Sequence, residues 1–444
     1  MTDTNQNPPE LAEAIRLFQQ LVPPESLYAG TQPSAATVYT PWIAAWLLVY
    51  QRLAGNATLV EALAEWSQIP PELLPVNKRT REHTVSARTG TFSHARQRLD
   101  SAALFAATDT VTQTLLDHQP GSWHGRRVFA IDGTTLALAP TSPLLKAYPP
   151  ARNQHGEAYR PTLLSVAAHD VATGVALRPE TGASYGPNAE GEVAISCRLL
   201  PRLPAKSLLL ADRNFGIFAF AWHARLAQHD VALRLTEARF QPLVRSAVAV
   251  GAGTWKLDWR PTERDRKQTP ELPANTHLPV YLNEIVVHET LTLWLVTSLR
   301  IPHAELAELY RLRGTIETDF RDLKRTLRLD EIRGQSVAMV HKELAAATIA
   351  FNLIGHIRVL TANRMKITPR RLSFSRIASL VRILLLHVNL DDPVLVKQRI
   401  ADVLRMAKQC VLPVRSGRSY PREAIPKVSR YPARRRKPEP ETRK

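Results

Sequence analysis

The sequence predicts an α/β fold in which a mixed sheet carries the chemistry and helical regions lie before and after it. Three observations predict this. From Pro9 to about Leu115, apolar residues return every three or four positions with Pro or Gly between the runs, the period of amphipathic helices. After Gly121 the texture changes to short apolar runs of strand length, two of which stop at an aspartate, Asp132 and Asp212. From about His303 the helical period resumes and continues to about Met406.

In chain order, ELAEAIRLFQQL, PWIAAWLLVYQRLAG, TLVEALAEW and FSHARQRLDSAALFAATDTVTQTLLD predict an all-helical region over 1–120. Val128–Ile131 predicts a buried strand. Thr162–Ala168 and Val175–Arg178, about the turn-like segment His169–Gly174, predict a hairpin. A helix over Glu190–Leu200, a strand over Ser207–Ala211, a helix over Phe215–Gln228 and a strand over Val231–Leu235 follow. Strand, strand, strand, helix, strand, helix, strand is the connectivity of a ribonuclease H-like sheet, assigned to 121–339. Residues 236–290, rich in Gly, Pro and charge and containing the strand-like Trp255–Trp259 and Glu284–His288, read as a β-rich insertion. The chain rejoins a buried strand at Leu293–Thr297. Helices over Val340–Ala362 and Ser373–Met406 make a C-terminal helical region, 340–415. The Pro-punctuated Ser416–Lys444, with Arg434–Lys437, reads as a basic flexible tail.

Composition narrows the function. With 44% apolar and 22% charged residues in 444 positions, the chain has the balance of a folded protein with more than one compact unit. The net charge of +18 calls for a polyanionic partner such as nucleic acid. Two cysteines, Cys197 and Cys410, argue against a disulfide framework and against a Cys-ligated zinc. MTDTNQNPPE lacks the basic start and apolar core of a signal peptide, and the apolar run Trp42–Tyr50 is too short for a bilayer. The expected compartment is a reduced cytosol, with no membrane partner.

The helix after His303 carries the densest signal. On a helical wheel, Tyr310, Arg313, Glu317 and Lys324 fall within a stripe of roughly 60°. Leu309, Leu312, Ile316, Phe320, Leu323 and Leu327 form the adjacent apolar stripe that packs on a sheet. The polar stripe therefore lies at the margin of the core, where clefts form. A surface ladder of ion pairs, with Arg313 and Arg321 flanking Glu317 at four residues, explains the charges but not a tyrosine in register.

Tyr310, two residues, Arg313, three residues, Glu317, six residues, Lys324 resembles the Y-R-E-K signature of insertion sequence family four transposases, matched without a gap. Ile131-Asp132-Gly133-Thr134 looks like that family's first-aspartate motif and Ala211-Asp212-Arg213-Asn214-Phe215 like its second. Phe92–Leu99 and Gly417–Arg422 also resemble family segments. Asn214 stands where Gly or another small residue is more usual.

The resemblance implies a DDE transposase in which Asp132, Asp212 and Glu317 hold two Mg²⁺ or Mn²⁺ ions. Hard divalent ions take carboxylate oxygens, and a pair of them activates the attacking oxygen and stabilises the leaving one in phosphodiester cleavage. Arg313 and Lys324 are then phosphate contacts, by planar fork and by point charge. Tyr310 either positions a phosphate or packs beside the sheet. Trp294 is a candidate to stack on an extruded base, as in relatives that form hairpinned ends; a core position is the alternative, and Trp255 and Trp259 compete for the role. Arg96 and Arg98 are candidate contacts to terminal repeats, or members of a surface helix. The implied partners are the inverted repeats at the element ends and the target DNA, bound by a homodimer on paired ends. Cut-and-paste transposition, with hairpinned ends as one route, is the leading reading. A structure-selective nuclease on the same fold and a domesticated DNA-binding protein without catalysis are the alternatives.

Overall fold

The computed structural model describes residues 14–414 except 87, 120, 154–155, 289–290 and 387–392. The expected tail, Ser416–Lys444, and the family-like segment Gly417–Arg422 lie outside the described residues.

The N-terminal region is helical, with α1 (Ala14–Leu21), α2 (Pro41–Leu53), α3 (Leu59–Trp66), α4 (Thr89–Arg98) and α5 (Ser101–Asp117). Local chemistry sets these starts. Thr40 caps α2 ahead of Pro41, and Thr58 and Glu61 form a capping box on α3. The run beginning FSHARQRLDSAALF divides into two helices because Asp100 turns its carboxylate onto the Ala103 amide, 2.7 Å away, and starts a new one.

One nine-stranded sheet follows: β1 (Val128–Ala137), β2 (Thr162–Asp170), β3 (Glu180–Ala183), β4 (Leu208–Ala211), β5 (Asp230–Arg234), β6 (Val248–Gly251), β7 (Thr254–Trp259), β8 (Leu278–His288) and β9 (Leu291–Thr297). Their spatial order is β3-β2-β1-β4-β5-β9-β8-β7-β6. β2 runs antiparallel to β1, whereas β4 and β5 run parallel to it, with α6 (Glu192–Cys197) and α7 (Phe218–Leu226) as crossovers. This is the ribonuclease H-like arrangement. The segment expected to be an insertion, which also holds α8 (Glu237–Val244), adds β6, β7 and β8 to the same sheet through β9.

Three expectations are corrected. Val175–Arg178 is not a strand. The turn of the expected hairpin is in place, with Asp170 donating to the Val175 carbonyl and Leu177 to the Ala168 carbonyl, both at 2.9 Å, but it yields a single bridge, His169 to Ala176. Asn352 meets both backbone groups of Ala176, accepting its N–H at 2.8 Å and donating to its carbonyl at 2.9 Å, and the third strand starts at Glu180. The helix after His303 is not continuous: α9 (His303–Arg311) and α10 (Thr315–Arg325) are joined by a 3₁₀ turn over Leu312–Gly314, where glycine weakens the α-helix. The expected helix over Ser373–Met406 is broken into α12 (Phe374–Leu380), a π turn over Val381–Leu385 and α13 (Pro393–Ala407), Pro393 being tolerated only in a first turn.

Between them α11 (Val337–Arg364), capped by Ser336, runs through the molecule. Among the described residues it is the one helix long and apolar enough to cross a membrane, a stretch longer than Trp42–Tyr50, and 94% of its apolar window is buried in the fold. It joins the N-terminal helices to the sheet. Arg52 of α2 meets Glu343 at 2.5 Å with both side chains buried, Lys342 donates to the carbonyls of Arg96 and Gln97, and Asn352 reaches Thr112 of α5.

The alternation of the strands sorts the core into two faces. Phe129, Ile131, Leu209, Ala211, Val231 and Leu233 join the large cluster that includes α11 and the N-terminal helices. Val128, Ala130, Leu208, Leu210 and Ala232 join a smaller one with Leu306, Leu309, Tyr310 and Ile316. Asp132 and Asp212 continue the second set, so both aspartates arise on the face covered by α9 and α10.

Candidate active site

Parallel pairing places Ile131 opposite Ala211, and the next residues lie side by side: Asp212 just past the end of β4, and Asp132 inside β1, which runs on to Ala137 and does not stop at the aspartate as expected. Asp132 accepts the Gly133 amide at 2.8 Å, and Asp212 accepts the Asn214 amide at 2.8 Å in the turn that ends β4. That turn lies hard against β5: a Cβ on Gly216 would collide with the Arg234 carbonyl oxygen, so only glycine fits.

Arg313, in the 3₁₀ turn, reaches all three carboxylates. Its Nη2 is 3.5 Å from Asp132 Oδ2 and 3.6 Å from Asp212 Oδ2, and its Nη1 is 2.6 Å from Glu317 Oε1. Asp132, Asp212 and Arg313 are largely shielded, whereas Glu317 is 55% exposed. Burial pushes the Asp132 carboxyl up to about 6, with Asp212 and Glu192 adding to the rise, against the guanidinium of Arg313 and the Gly133 amide. No group of three His, Cys, Asp or Glu side chains among the described residues is close enough to grip one ion as it stands. The chemistry of the donor set nevertheless fits a hard divalent ion, since three carboxylates converge on one cationic group.

The elements around the site are fastened separately. Tyr310 is buried and donates its hydroxyl to the Ala211 carbonyl at 3.1 Å, pinning the end of β4 next to Asp212; burial pushes its phenol far above the usual range. Lys324 Nζ donates to Thr134 Oγ1 at 2.5 Å and to the Thr135 carbonyl at 3.1 Å, tying α10 to β1. On the hidden side of α10, Asp319 meets His169 at 3.2 Å and a two-pronged Arg370, with one contact at 3.0 Å. Burial alone would raise the Asp319 carboxyl, but Arg370 and His169 outweigh it and hold it well below the usual range.

A fourth carboxylate was missed from sequence. Glu192, the first residue of α6, lies against Gly133 so closely that a Cβ there would strike Oε1, and its Oε2 accepts from Asn214 Nδ2 at 3.3 Å. Burial raises its carboxyl, and the charge of Asp212 adds to the rise. The one sequence signal near it is Asn214 in place of a small residue, the side chain that donates to Glu192.

The other candidates lie elsewhere. Trp294, half-buried in β9, packs against the main core, and its indole N–H finds no acceptor among the described residues. Trp259 is a core residue against Phe218, and Trp255 packs edge-on to Phe240. Arg96 and Arg98 part company: Arg98 is exposed, whereas Arg96 lies over the Phe92 ring and lines a polar cavity of about 360 Å³ with Arg52, Arg333 and Glu343. None of the three carboxylates lines that cavity. Both cysteines are free.

Comparison with known proteins decides the family. The profile of the family described as "Transposase DDE domain" matches residues 123–353, just over half of the chain. The chain belongs to the DDE transposases. Within that family it is similar to the transposase InsG for insertion sequence element IS4 of Escherichia coli (strain K12), 24% identical over 348 residues, which cover 76% of each chain. The match between the Y-R-E-K positions and the insertion sequence family four transposases thus has an independent counterpart. The transposase is an enzyme, and DDE transposases in general work with divalent metal ions on DNA.

Proposed function

We propose that this transposase cleaves DNA at the ends of an insertion sequence and joins the freed 3′-hydroxyls to target DNA. Asp132, Asp212 and Glu317 would hold two Mg²⁺ or Mn²⁺ ions. The observation that supports it most is the convergence of these three carboxylates, from two parallel strands and a helix, on the single guanidinium of Arg313. When bound, the ions supply an activated attacking oxygen and neutralise charge on the leaving one.

The chain's own residues do the positioning. Asp132 and Asp212 present Oδ2 atoms toward the same point, each with its other oxygen fixed by a backbone amide. Tyr310 donates to the strand end beneath Asp212, which supports a positioning role over a phosphate contact. Arg313 and Lys324 flank the carboxylates and are the candidate phosphate contacts, Arg313 through its fork and Lys324 from the far end of α10. Arg98 and the overall charge of +18 favour a duplex running over the protein surface, with paired ends on a dimer as the working arrangement. Trp294, half-buried in β9, is retained as a base-stacking candidate on the resemblance alone.

The test is a cleavage and joining assay on DNA carrying the element's own terminal repeats. Nicking at the repeat ends with Mg²⁺ or Mn²⁺, followed by joining to target, supports the proposal. Cleavage without joining favours a nuclease, and tight binding without cleavage favours a DNA-binding role. Asp132→Asn, Asp212→Asn and Glu317→Gln are each expected to lower cleavage by roughly 10²–10³-fold at least, the scale of losing one charge-stabilising group in a buried site.

A further inference from the structure

We propose that Arg313 is the resident cation of the metal-free site and competes directly with a divalent ion for the three carboxylates. This rests on the reading of Asp132, Asp212 and Glu317 as metal ligands. The contacts to the aspartates, at 3.5 and 3.6 Å, are too long for good hydrogen bonds and are held by charge; only the 2.6 Å contact to Glu317 is a short one. Arg313 Nε is buried and has no acceptor among the described residues. The guanidinium therefore does not rest in a cradle built for it. It stands where the negative charge is densest.

The charge count points the same way. Two positive groups, Arg313 in contact and Lys324 alongside on Thr134, face three carboxylates, with Glu192 as a fourth close behind Gly133. The site remains net negative, so a divalent ion compensates it better than Arg313 does. Arginine keeps its charge at every working pH, so the competitor is always present. The 3₁₀ turn that bears Arg313 has poorer hydrogen-bond geometry than the helices on either side and is the place where the element can adjust. Removing the competitor should thus tighten metal binding while weakening the empty site. A purely structural arginine would do only the second.

The experiment titrates Mn²⁺ into the full-length chain by calorimetry, with melting temperatures measured in chelator and in Mn²⁺. Arg313→Gln is expected to bind Mn²⁺ about tenfold more tightly than the parent, within the usual range for coupling between competing ligands. It is also expected to melt lower in chelator, with the gap closing when Mn²⁺ is added. Arg313→Lys keeps the charge without the fork and is expected to fall between the two, which guards against loss of the fold in the glutamine variant. Unchanged or weaker Mn²⁺ binding in both variants, or a melting gap that persists in Mn²⁺, overturns the inference. Asp132→Asn separates the two levels: if it binds Mn²⁺ as the parent does, the carboxylate reading falls and this inference with it. If it loses binding while both Arg313 variants match the parent, only the role of Arg313 falls.

Discussion

Individual side chains around α10 show how differently acids are treated within one helix. Asp319 is matched by Arg370 and His169, whereas Asp322 is largely buried and its carboxyl is pushed up to about 6, first by burial and then by the charge of Asp319. A folded-state value above that of the unfolded chain means that the fold holds this proton more tightly, so Asp322 costs stability as pH rises from about 4 through 6. Asp322→Asn is expected to stabilise the protein by about 1–2 kcal/mol at pH 7.5, allowing for partial exposure, and to give no gain below pH 4. Chemical denaturation at the two pH values measures this. Glu317 and Arg313 were legible from spacing because a fixed helical interval ties them together. Glu192 was not: it reaches the site through tertiary packing against Gly133, and a glutamate opening a short helix has no distinguishing pattern of its own.

At the scale of elements, the sequence showed β1, β2, β4 and β5 through apolar runs that end in polar residues. It failed where a long-range partner overrode the local pattern. Val175–Leu177 is apolar, buried and bridged to β2 at His169, yet the backbone groups of Ala176 that β2 leaves open are taken by Asn352, far along the chain, and not by a further strand. Asn352→Ala is expected to leave both backbone groups of Ala176 and the Thr112 hydroxyl less satisfied, costing about 1–3 kcal/mol, with the metal affinity unchanged. A urea melt alongside a Mn²⁺ titration checks both parts. The 3₁₀ turn at Leu312–Gly314 was equally hidden, since a helical wheel assumes an unbroken helix. The wheel still gathered the right residues because the turn is short and the chain on both sides packs on the same face of the sheet.

Across the whole molecule, one sheet receives helices from both ends of the chain. The N-terminal helices and α11 share a core and a buried Arg52–Glu343 pair. A long apolar helix, read from composition alone, suits a membrane; here its polar members, Lys342, Glu343, Asn352 and Arg358, find partners inside the fold. Charge is the other global property. The segment from Ser416 onward is strongly basic, so a chain ending at Val414 is expected to bind random duplex more weakly. Its plot of log affinity against log salt should also be shallower, by about 0.9 for each phosphate that the shortened chain no longer neutralises. The position of cleavage at the repeat ends should stay the same.

Whether Asp132, Asp212 and Glu317 form one metal site is read from anomalous diffraction of crystals grown with Mn²⁺. Manganese peaks are expected about 2.1 Å from oxygens of Asp132 and Asp212, with Glu317 completing the shell and Arg313 displaced. Manganese bound elsewhere, with Arg313 still seated among the three carboxylates, contradicts a shared metal site.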